Sequence, residues 1–154
     1  MKHELLLLGK TKDRFLADGI KEYAARLSHY TTFSITTLKE KGKLRGQTTL
    51  IDSEGQLLLQ AVVPGAFIVA LDARGKQFSS EAFSEKIVSW EIKGIKQVYY
   101  LIGGPDGHAP SVLQAANLLL SLSPMTFTHD MTRMILVEQL YRAYTIKAGE
   151  KYHK

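Results

Sequence analysis

Hydrophobic residues occur along the chain in two patterns, short runs of strand length and longer segments with helical spacing. The short runs are bounded by charged residues, glycine or turn residues, as the buried strands of a parallel sheet are. We predict strands at residues 5–8, 32–38, 67–71 and 98–102. The third strand is expected to end in a turn at residues 72–76, with Gly75 to make it.

The segments between these runs place apolar residues three or four positions apart, which is typical of helices packed on a core. We predict helices at residues 13–27, 49–62, 79–93, 111–120 and 129–147. Thr11 or Asp13 is expected to cap the first of them, and Ser79 or Ser80 the third. Residues 118–123 fit either the end of the fourth helix or a short fifth strand.

Strands that alternate with helices indicate right-handed βαβ units and a mainly parallel sheet. The sequence has no repeat and no linker, so residues 1–154 are predicted to form one compact α/β domain. The last helix is apolar on more than one face, which predicts a subunit interface.

Composition narrows the class of protein. With no cysteine, the chain has no disulfide, no zinc–cysteine site and no thiol nucleophile. The apolar run at residues 5–8 is too short for a signal peptide, and no run approaches the ~20 residues of a membrane span. We expect a soluble, cytoplasmic protein with no membrane segment.

The formal net charge of +5 favours a polyanionic partner such as nucleic acid. The basic residues are concentrated in two places. One is residues 39–48, predicted to be an exposed, mobile loop; the other is the C-terminal part of the chain. The residues concerned are Lys39, Lys41, Lys43 and Arg45, and then Arg133, Arg142, Lys147, Lys151 and Lys154.

Two loops rich in small residues follow apolar segments, at residues 102–107 (IGGPDG) and 122–127 (LSPMTF). Loops of this kind hold nucleotide-like ligands in α/β proteins, because glycine lets the backbone approach a ligand closely. The first loop has neither the GxGxxG spacing nor the GK[ST] ending of phosphate-binding loops, so phosphate binding is not indicated. A plain turn between strand and helix is the alternative.

The last predicted helix carries further candidates. His129 and Arg133 are four residues apart and share a face, so they could meet one ligand. Arg142 lies about half a revolution from Arg133 and cannot face the same point. Glu138 and Arg142 are spaced as a structural ion pair, and Asp130 is explained by the helix dipole.

The final residues Tyr152, His153 and Lys154 bring an aromatic ring, an imidazole and a cation beyond the helix. Such a group can stack on a base and neutralise phosphate. A frayed terminus is the alternative.

Several motifs occur in order along essentially the whole chain, and together they closely resemble the RlmH family of the SPOUT superfamily. They are the start LLLGK at 6–10, LDxxGK at 71–76, IGGPDG at 102–107, LSxMTFxH at 122–129, Arg133, EQLYRA at 138–143 and the ending YHK at 152–154. Members of that family are ribosomal RNA large subunit methyltransferases that N3-methylate a pseudouridine of 23S rRNA. The chain differs from them at Thr128, where the family commonly has proline, so the rigidity of His129 is not predicted.

The resemblance implies a SPOUT fold, a mainly parallel α/β sheet with a C-terminal trefoil knot in about residues 99–154. It also implies a homodimer in which the knotted regions pack together and a tail of one subunit completes the site of its partner. The cofactor implied is S-adenosyl-L-methionine, with no metal. By position, the family's cofactor-binding residues match Leu71, Gly103, Gly104, Leu122, Ser123, Pro124, Met125, Thr126 and Phe127.

The implied reaction is methyl transfer from S-adenosylmethionine to N3 of a pseudouridine, expected to take place on the assembled ribosome. Arg142 and Lys154 are candidates for phosphate contact or for stabilising the anionic base. Tyr152 and His153 are candidates for stacking or proton handling, and the four form the expected catalytic group. His129 and Arg133 are assigned to RNA binding or positioning, and the general base is not assigned.

Two other functions stay open. A non-catalytic RNA-binding or ribosome-assembly factor would need only the basic loop and tail. A generic nucleotide-binding α/β enzyme would use the two small-residue loops for a nucleotide.

Overall fold

A computed structural model describes residues 1–39 and 49–153, in which strands and helices alternate along the chain. The strands are β1 (Lys2–Leu8), β2 (Thr32–Leu38), β3 (Phe67–Lys76), β4 (Gln97–Ile102) and β5 (Leu118–Leu120). The helices are α1 (Arg14–Leu27), α2 (Leu50–Gln60), α3 (Ser80–Ile92), α4 (Pro110–Ala115) and α5 (His129–Lys147), followed by a 3₁₀ turn at Lys151–His153. Lys154 and most of the predicted basic loop, residues 40–48, lie outside the described residues.

The strands form one sheet in the order β2-β1-β4-β3-β5, and every neighbouring pair is parallel. The predicted parallel α/β domain is confirmed. All five carboxyl ends therefore lie at one edge of the sheet, which is where α/β proteins bind ligands.

The structure also shows that β5 exists and that α4 stops at Ala115, so the helix predicted for residues 111–120 is too long. Leu118 to Leu120 form a strand rather than the end of α4, because they pair with β3, opposite Val69 to Leu71.

The turn predicted for residues 72–76 is wrong, because β3 continues to Lys76. Leu120 pairs with both Leu71 and Lys76, so residues 72–75 bulge out of the ladder and the strand then returns to it. Gly75 allows this, since a Cβ there would lie 2.6 Å from the backbone carbon and oxygen of Leu119. Asp72, Arg74 and Gly75 are residue types that indicate an irregular backbone, but they do not indicate that β5 pairs on both sides of it.

Alternating residues of the strands supply two apolar cores, one on each face of the sheet. On one face Leu5, Leu7 and Tyr100 pack against α1, α3 and α5. On the other, Leu6 and Leu101 pack against α2 and α4. The result is a three-layer α/β/α arrangement.

Helix α5 has the predicted bounds, and its apolar faces are largely covered within the chain by α1 and α3. Met131, 38% exposed, remains on the surface. The subunit interface and the trefoil knot both stay predictions. Within residues 1–39 and 49–153, we find no helix that combines the length and the apolar character needed to cross a bilayer.

In the core that contains Leu5, Leu7 and Tyr100, the buried side chain of His3 links β1, β4 and α5. His3 on β1 is fully buried, with Nδ1 3.0 Å from the Tyr100 hydroxyl and Nε2 2.7 Å from the Tyr144 hydroxyl. Burial lowers the pKa of His3 from 6.5 to about 3, with a smaller contribution from the N-terminal ammonium. The imidazole is therefore neutral in the folded protein, and the two hydroxyls satisfy both ring nitrogens.

We expect stability to depend on His3 at acidic pH. The unfolded chain binds the His3 proton below about pH 6.5 and the folded chain does not, so the free energy of unfolding should fall between pH 6.5 and 3 by about 1.4 kcal/mol per pH unit. His3→Gln should remove this part of the slope in urea unfolding followed from pH 7 to pH 4.5. The exposed His29→Gln is the control and should keep it; an unchanged slope in His3→Gln would contradict the assignment.

Candidate active site

A cavity of about 770 Å³ opens at the carboxyl ends of β3, β4 and β5. Three chain segments and the first turn of α5 enclose it. The lining residues are Leu71, Asp72, Ala73, Ile102, Gly103, Gly104, Pro105, Asp106, Gly107, His108, Leu120, Leu122, Ser123, Met125, Thr126, Phe127, Thr128, His129 and Thr132. All of the predicted cofactor residues except Pro124 are among them.

The first small-residue loop is held tightly against itself. A Cβ on Gly103 would lie 2.7 Å from the carbonyl oxygen of Gly107, so only glycine fits there without moving the backbone. Gly107 has a φ of 88° and donates from its N–H to the Gly104 oxygen at 3.1 Å, which closes the turn. The loop is therefore a compact wall with its backbone close to the cavity.

The second loop is ordered by its own hydroxyl groups. Ser123 Oγ accepts from the backbone N–H of Met125 at 3.0 Å, and Ser121 Oγ donates to the Ser123 oxygen at 3.1 Å. Met125 is 74% exposed and Phe127 40% exposed, so apolar side chains stand at the cavity mouth. Such a wall suits the faces of a flat ring.

Thr128 does not weaken the start of α5. Its φ of −60° is the value that proline would hold, and its side chain accepts from the backbone N–H of Met131 at 3.2 Å. The chain thus replaces the rigidity of proline with a helix cap, and His129 begins the helix in a defined position.

His129 and Arg133 lie close in the structure but face different surroundings. His129 lines the cavity, with a side chain 32% exposed and Nε2 3.7 Å from Asp130 Oδ1. Arg133 is 1% exposed and donates from Nη2 to the Leu8 oxygen at 2.7 Å, and from Nη1 to Thr11 Oγ1 and Asp130 Oδ1, each at 3.1 Å. Of the two, His129 lines the cavity and Arg133 does not, and this burial favours positioning over RNA contact for Arg133.

Asp130 has a larger role than the helix dipole alone. Its Oδ2 accepts from the backbone N–H groups of Lys12 and Asp13 at 2.9 and 3.2 Å, while Oδ1 pairs with Arg133. Asp13 in turn caps α1. The carboxylate therefore joins the starts of α1 and α5 beneath the cavity.

Sequence reasoning missed Thr132 and two ionisable residues of the cavity wall, Asp72 and His108. Asp72 lies in the bulge of β3, and the neighbouring Arg74 guanidinium lowers the pKa of its carboxyl to about 2. The His108 ring is half-buried, with Nε2 3.2 Å from the Leu101 oxygen, and burial lowers its pKa. The only signal for Asp72 and His108 was position, each following the buried part of a strand.

Arg142, Tyr152 and His153 form a separate cluster, which we call the tail cluster. Arg142 pairs with Glu138 and lies over the Tyr152 ring, 4.8 Å from its centroid. The Tyr152 hydroxyl is 3.1 Å from Glu138 Oε1, and His153 Nε2 is 2.5 Å from Glu81 Oε1. The tail is therefore packed on α5 and α3 rather than frayed over its described residues.

The tail cluster and the cavity lie at opposite ends of α5. Arg142 follows His129 by thirteen residues, which is about 20 Å along a helix. None of the three cluster residues lines the cavity. The structure thus brings together the predicted cofactor residues with His129, and separates them from the predicted catalytic group.

Comparisons with known proteins identify the family. A family model described as "Predicted SPOUT methyltransferase" matches residues 1–153. The ribosomal RNA large subunit methyltransferase H of Desulfotalea psychrophila is 59% identical over 154 residues, covering 100% of both chains. The protein of that name from Streptococcus thermophilus strain CNRZ 1066 is 40% identical over 159 residues, again covering 100% of both chains.

A solved structure supports the fold independently. The "probable methylase family protein" of Haemophilus influenzae Rd KW20 superposes with a TM-score of 0.55 at 12% identity, covering 99% of this chain and 70% of that one. With full-length identity of 59% to one methyltransferase H and a SPOUT model matched from end to end, the chain belongs to the RlmH family of ribosomal RNA large subunit methyltransferases, in the SPOUT superfamily.

Proposed function

We propose that this protein transfers a methyl group from S-adenosylmethionine to N3 of a pseudouridine in 23S rRNA, acting as a homodimer on the assembled ribosome. The observation that carries the proposal is the cavity at the carboxyl ends of β3, β4 and β5, walled by the two small-residue loops. The names of the relatives, methyltransferases of large-subunit ribosomal RNA, support the substrate class.

The cavity fits an adenosyl ligand without phosphates. Its volume of about 770 Å³ is within the usual range for small-molecule sites. Leu71, Ile102 and Leu122 offer apolar surface for a purine, while Ser123 and Thr126 offer hydroxyl groups for a ribose. No lysine or arginine is among the described lining residues, which disfavours a nucleotide that carries two or three phosphates.

When bound, S-adenosylmethionine would supply an electrophilic methyl group on a positively charged sulfur. The Asp72 carboxylate stays ionised because Arg74 pairs with it and lowers its pKa, so the wall presents anionic oxygens that are compatible with such a cation. The loop backbones, held by Gly103 and Ser123, keep the cavity shape before the ligand enters, so little ordering is needed on binding.

The separation of the tail cluster from the cavity is the argument for a composite site. A target base at the cavity mouth cannot meet Arg142 of the same chain, about 20 Å away along α5. In a two-fold dimer, each chain can place its tail cluster at the cavity of the other. The proposed site therefore takes the cofactor wall and His129 from one subunit and the tail cluster from its partner.

The tail cluster residues have distinguishable proposed roles. Arg142 supplies a cation for phosphate or for the base once its N3 proton has left. Burial, with hydrogen bonds to Tyr23 and Glu138, raises the pKa of Tyr152, so its hydroxyl stays protonated and is a poor base. We therefore assign stacking to Tyr152 and proton handling to His153, whose imidazole suits that task. Lys154 lies outside the described residues.

A non-catalytic ribosome-assembly factor is the second candidate. The cationic tail cluster would serve that role as well. The cavity argues against it, because an assembly factor has no need of two ordered loops that enclose 770 Å³.

The two adjacent glycines of the first loop provide a matched test of cofactor binding. Gly103→Ala should weaken S-adenosylmethionine binding by about tenfold or more in calorimetry, because its Cβ meets the Gly107 backbone at 2.7 Å and must displace the loop. Gly104→Ala should have a much smaller effect, since the atoms nearest to its Cβ belong to the movable end of the Glu54 side chain, with Oε2 at 2.9 Å. Equal affinities in the two variants would place the cofactor elsewhere, and no binding by the unaltered protein would reject the enzyme.

Methyl transfer is tested with tritiated S-adenosylmethionine and ribosomes from a strain that lacks the modification. We expect label on the large-subunit rRNA of assembled ribosomes and little on free rRNA, because residues 1–39 and 49–153 form one α/β unit with no separate RNA-binding domain among them. Mass spectrometry of the product should locate the methyl group on N3 of a pseudouridine. Label on free rRNA at an equal rate would contradict the requirement for the ribosome.

The composite site is tested by mixing Gly103→Ala with a chain lacking residues 152–154, at an S-adenosylmethionine concentration too low to load Gly103→Ala but sufficient for the unaltered cavity. If the tail acts on the partner's cavity, half of the dimers are mixed and each has one intact site, so the mixture should recover about a quarter of the normal activity. The truncated chain alone should still bind S-adenosylmethionine and dimerise. If mass spectrometry verifies mixed dimers but their methyl transfer stays at background level, the tail does not act on the cavity of the partner.

A further inference from the structure

The bulge in β3 places the charged pair of Asp72 and Arg74 at the rim of the cavity, and Arg74 has no part in the proposed binding of the cofactor. Residues 72–75 leave the ladder at the carboxyl edge of the sheet, and Gly75 keeps their return path against the backbone of Leu119 and Leu120. Asp72 and Ala73 line the cavity, whereas Arg74 does not. The bulge therefore turns its arginine outward, next to the mouth.

Arg74 is held in one orientation by Asp72. Asp72 Oδ1 accepts from the Arg74 backbone N–H at 2.9 Å and from Nε at 3.0 Å, while Oδ2 accepts from Nη2 at 2.8 Å. The Asp72 side chain is 11% exposed and the Arg74 side chain 80% exposed. One edge of the guanidinium is thus occupied, and the planar geometry directs the opposite Nη1–Nη2 edge to solvent.

Stability does not account for this arrangement. An ion pair with one partner 80% exposed contributes little to the folded state. What it does provide is a long side chain fixed beforehand, with two parallel N–H groups presented outward. That fork matches the geometry of a phosphate.

We propose that Arg74, oriented by Asp72, is a positioning residue that binds a phosphate of the substrate RNA beside the nucleotide presented to the cavity. The inference rests on the proposed function, because it takes the cavity mouth as the place where RNA meets the cofactor. The cofactor itself is not the partner of Arg74, since Arg74 is absent from the cavity lining. The RNA is the ligand that must pass Arg74 to bring a nucleotide to the cavity mouth.

The test compares Arg74→Ala with Lys93→Ala. Lys93 is an exposed lysine at the carboxyl end of α3, and it lies near the amino ends of the strands, at the opposite edge of the sheet. Both variants lose one positive charge, so a general loss of attraction affects them alike. Three quantities are measured for each: S-adenosylmethionine affinity by calorimetry, KM and kcat for the ribosomal substrate, and the dependence of kcat/KM on salt. Binding of the large ribosomal subunit by cosedimentation adds a readout that needs no catalysis.

We expect Arg74→Ala to keep the cofactor affinity and kcat of the unaltered protein, to raise KM about tenfold, and to reduce the slope of log kcat/KM against log salt by about 1. Arg74→Lys should recover only part of the loss, since a lysine keeps the charge but not the fork. Lys93→Ala should match the unaltered protein in KM.

Unchanged KM, salt slope and subunit binding in Arg74→Ala would overturn the inference, and so would weakened cofactor binding with normal subunit binding. Failure of the unaltered protein to bind S-adenosylmethionine or to transfer methyl would instead overturn the proposed function. The two failures can be told apart, because cosedimentation measures binding to the large ribosomal subunit without methyl transfer. It therefore still compares Arg74→Ala with Lys93→Ala when the unaltered protein is inactive.

Discussion

The buried pair of Arg133 and Asp130 is the interaction on which the arrangement of the site depends. Its groups reach the carboxyl end of β1 through the Leu8 oxygen, and the start of α1 through the backbone of Lys12 and Asp13. Further hydrogen bonds help a buried ion pair to offset its desolvation, and here Arg133 donates to the Leu8 oxygen and Thr11 Oγ1, while two backbone N–H groups donate to Asp130. The first turn of α5, which forms one wall of the cavity, is therefore attached to the sheet.

This attachment of α5 to the sheet also explains why one chain forms all the described walls of the cavity. Parallel strands end at a common edge, so the loops after β3, β4 and β5 must share it. Hydrogen bonds within each loop give the walls their shape, and α5 closes the remaining side. All the described walls of the cavity thus come from one chain.

Helix α5 separates the cavity from the tail cluster. It begins at the cavity and ends at the tail cluster, and its length keeps them about 20 Å apart. Within one chain the two ends of a helix of this length cannot meet in one small site, which is why the proposed function brings them together in a dimer. The packing of Tyr152 on Tyr141 and Arg142 shows that the tail is preorganised before any partner arrives.

Local pattern in the sequence was sufficient for the first four strands, for the five helices between and after them and for the parallel sheet, because strand and helix periods are properties of neighbouring residues; it left β5 open. It was also sufficient for both small-residue loops, for the cap at Asp13 and, through the family motifs, for most of the cavity lining. These features need no knowledge of distant contacts.

Only the tertiary structure decided the roles of residues whose partners are far along the chain. Arg133 looked like a ligand-facing cation until Leu8 and Thr11, more than 120 positions earlier, were placed against it. The turn predicted at residues 72–76 became a bulged strand because Leu120 pairs on both sides of it. The physical reason is the same in each case: burial and pairing depend on which distant segments meet, and local spacing does not encode that.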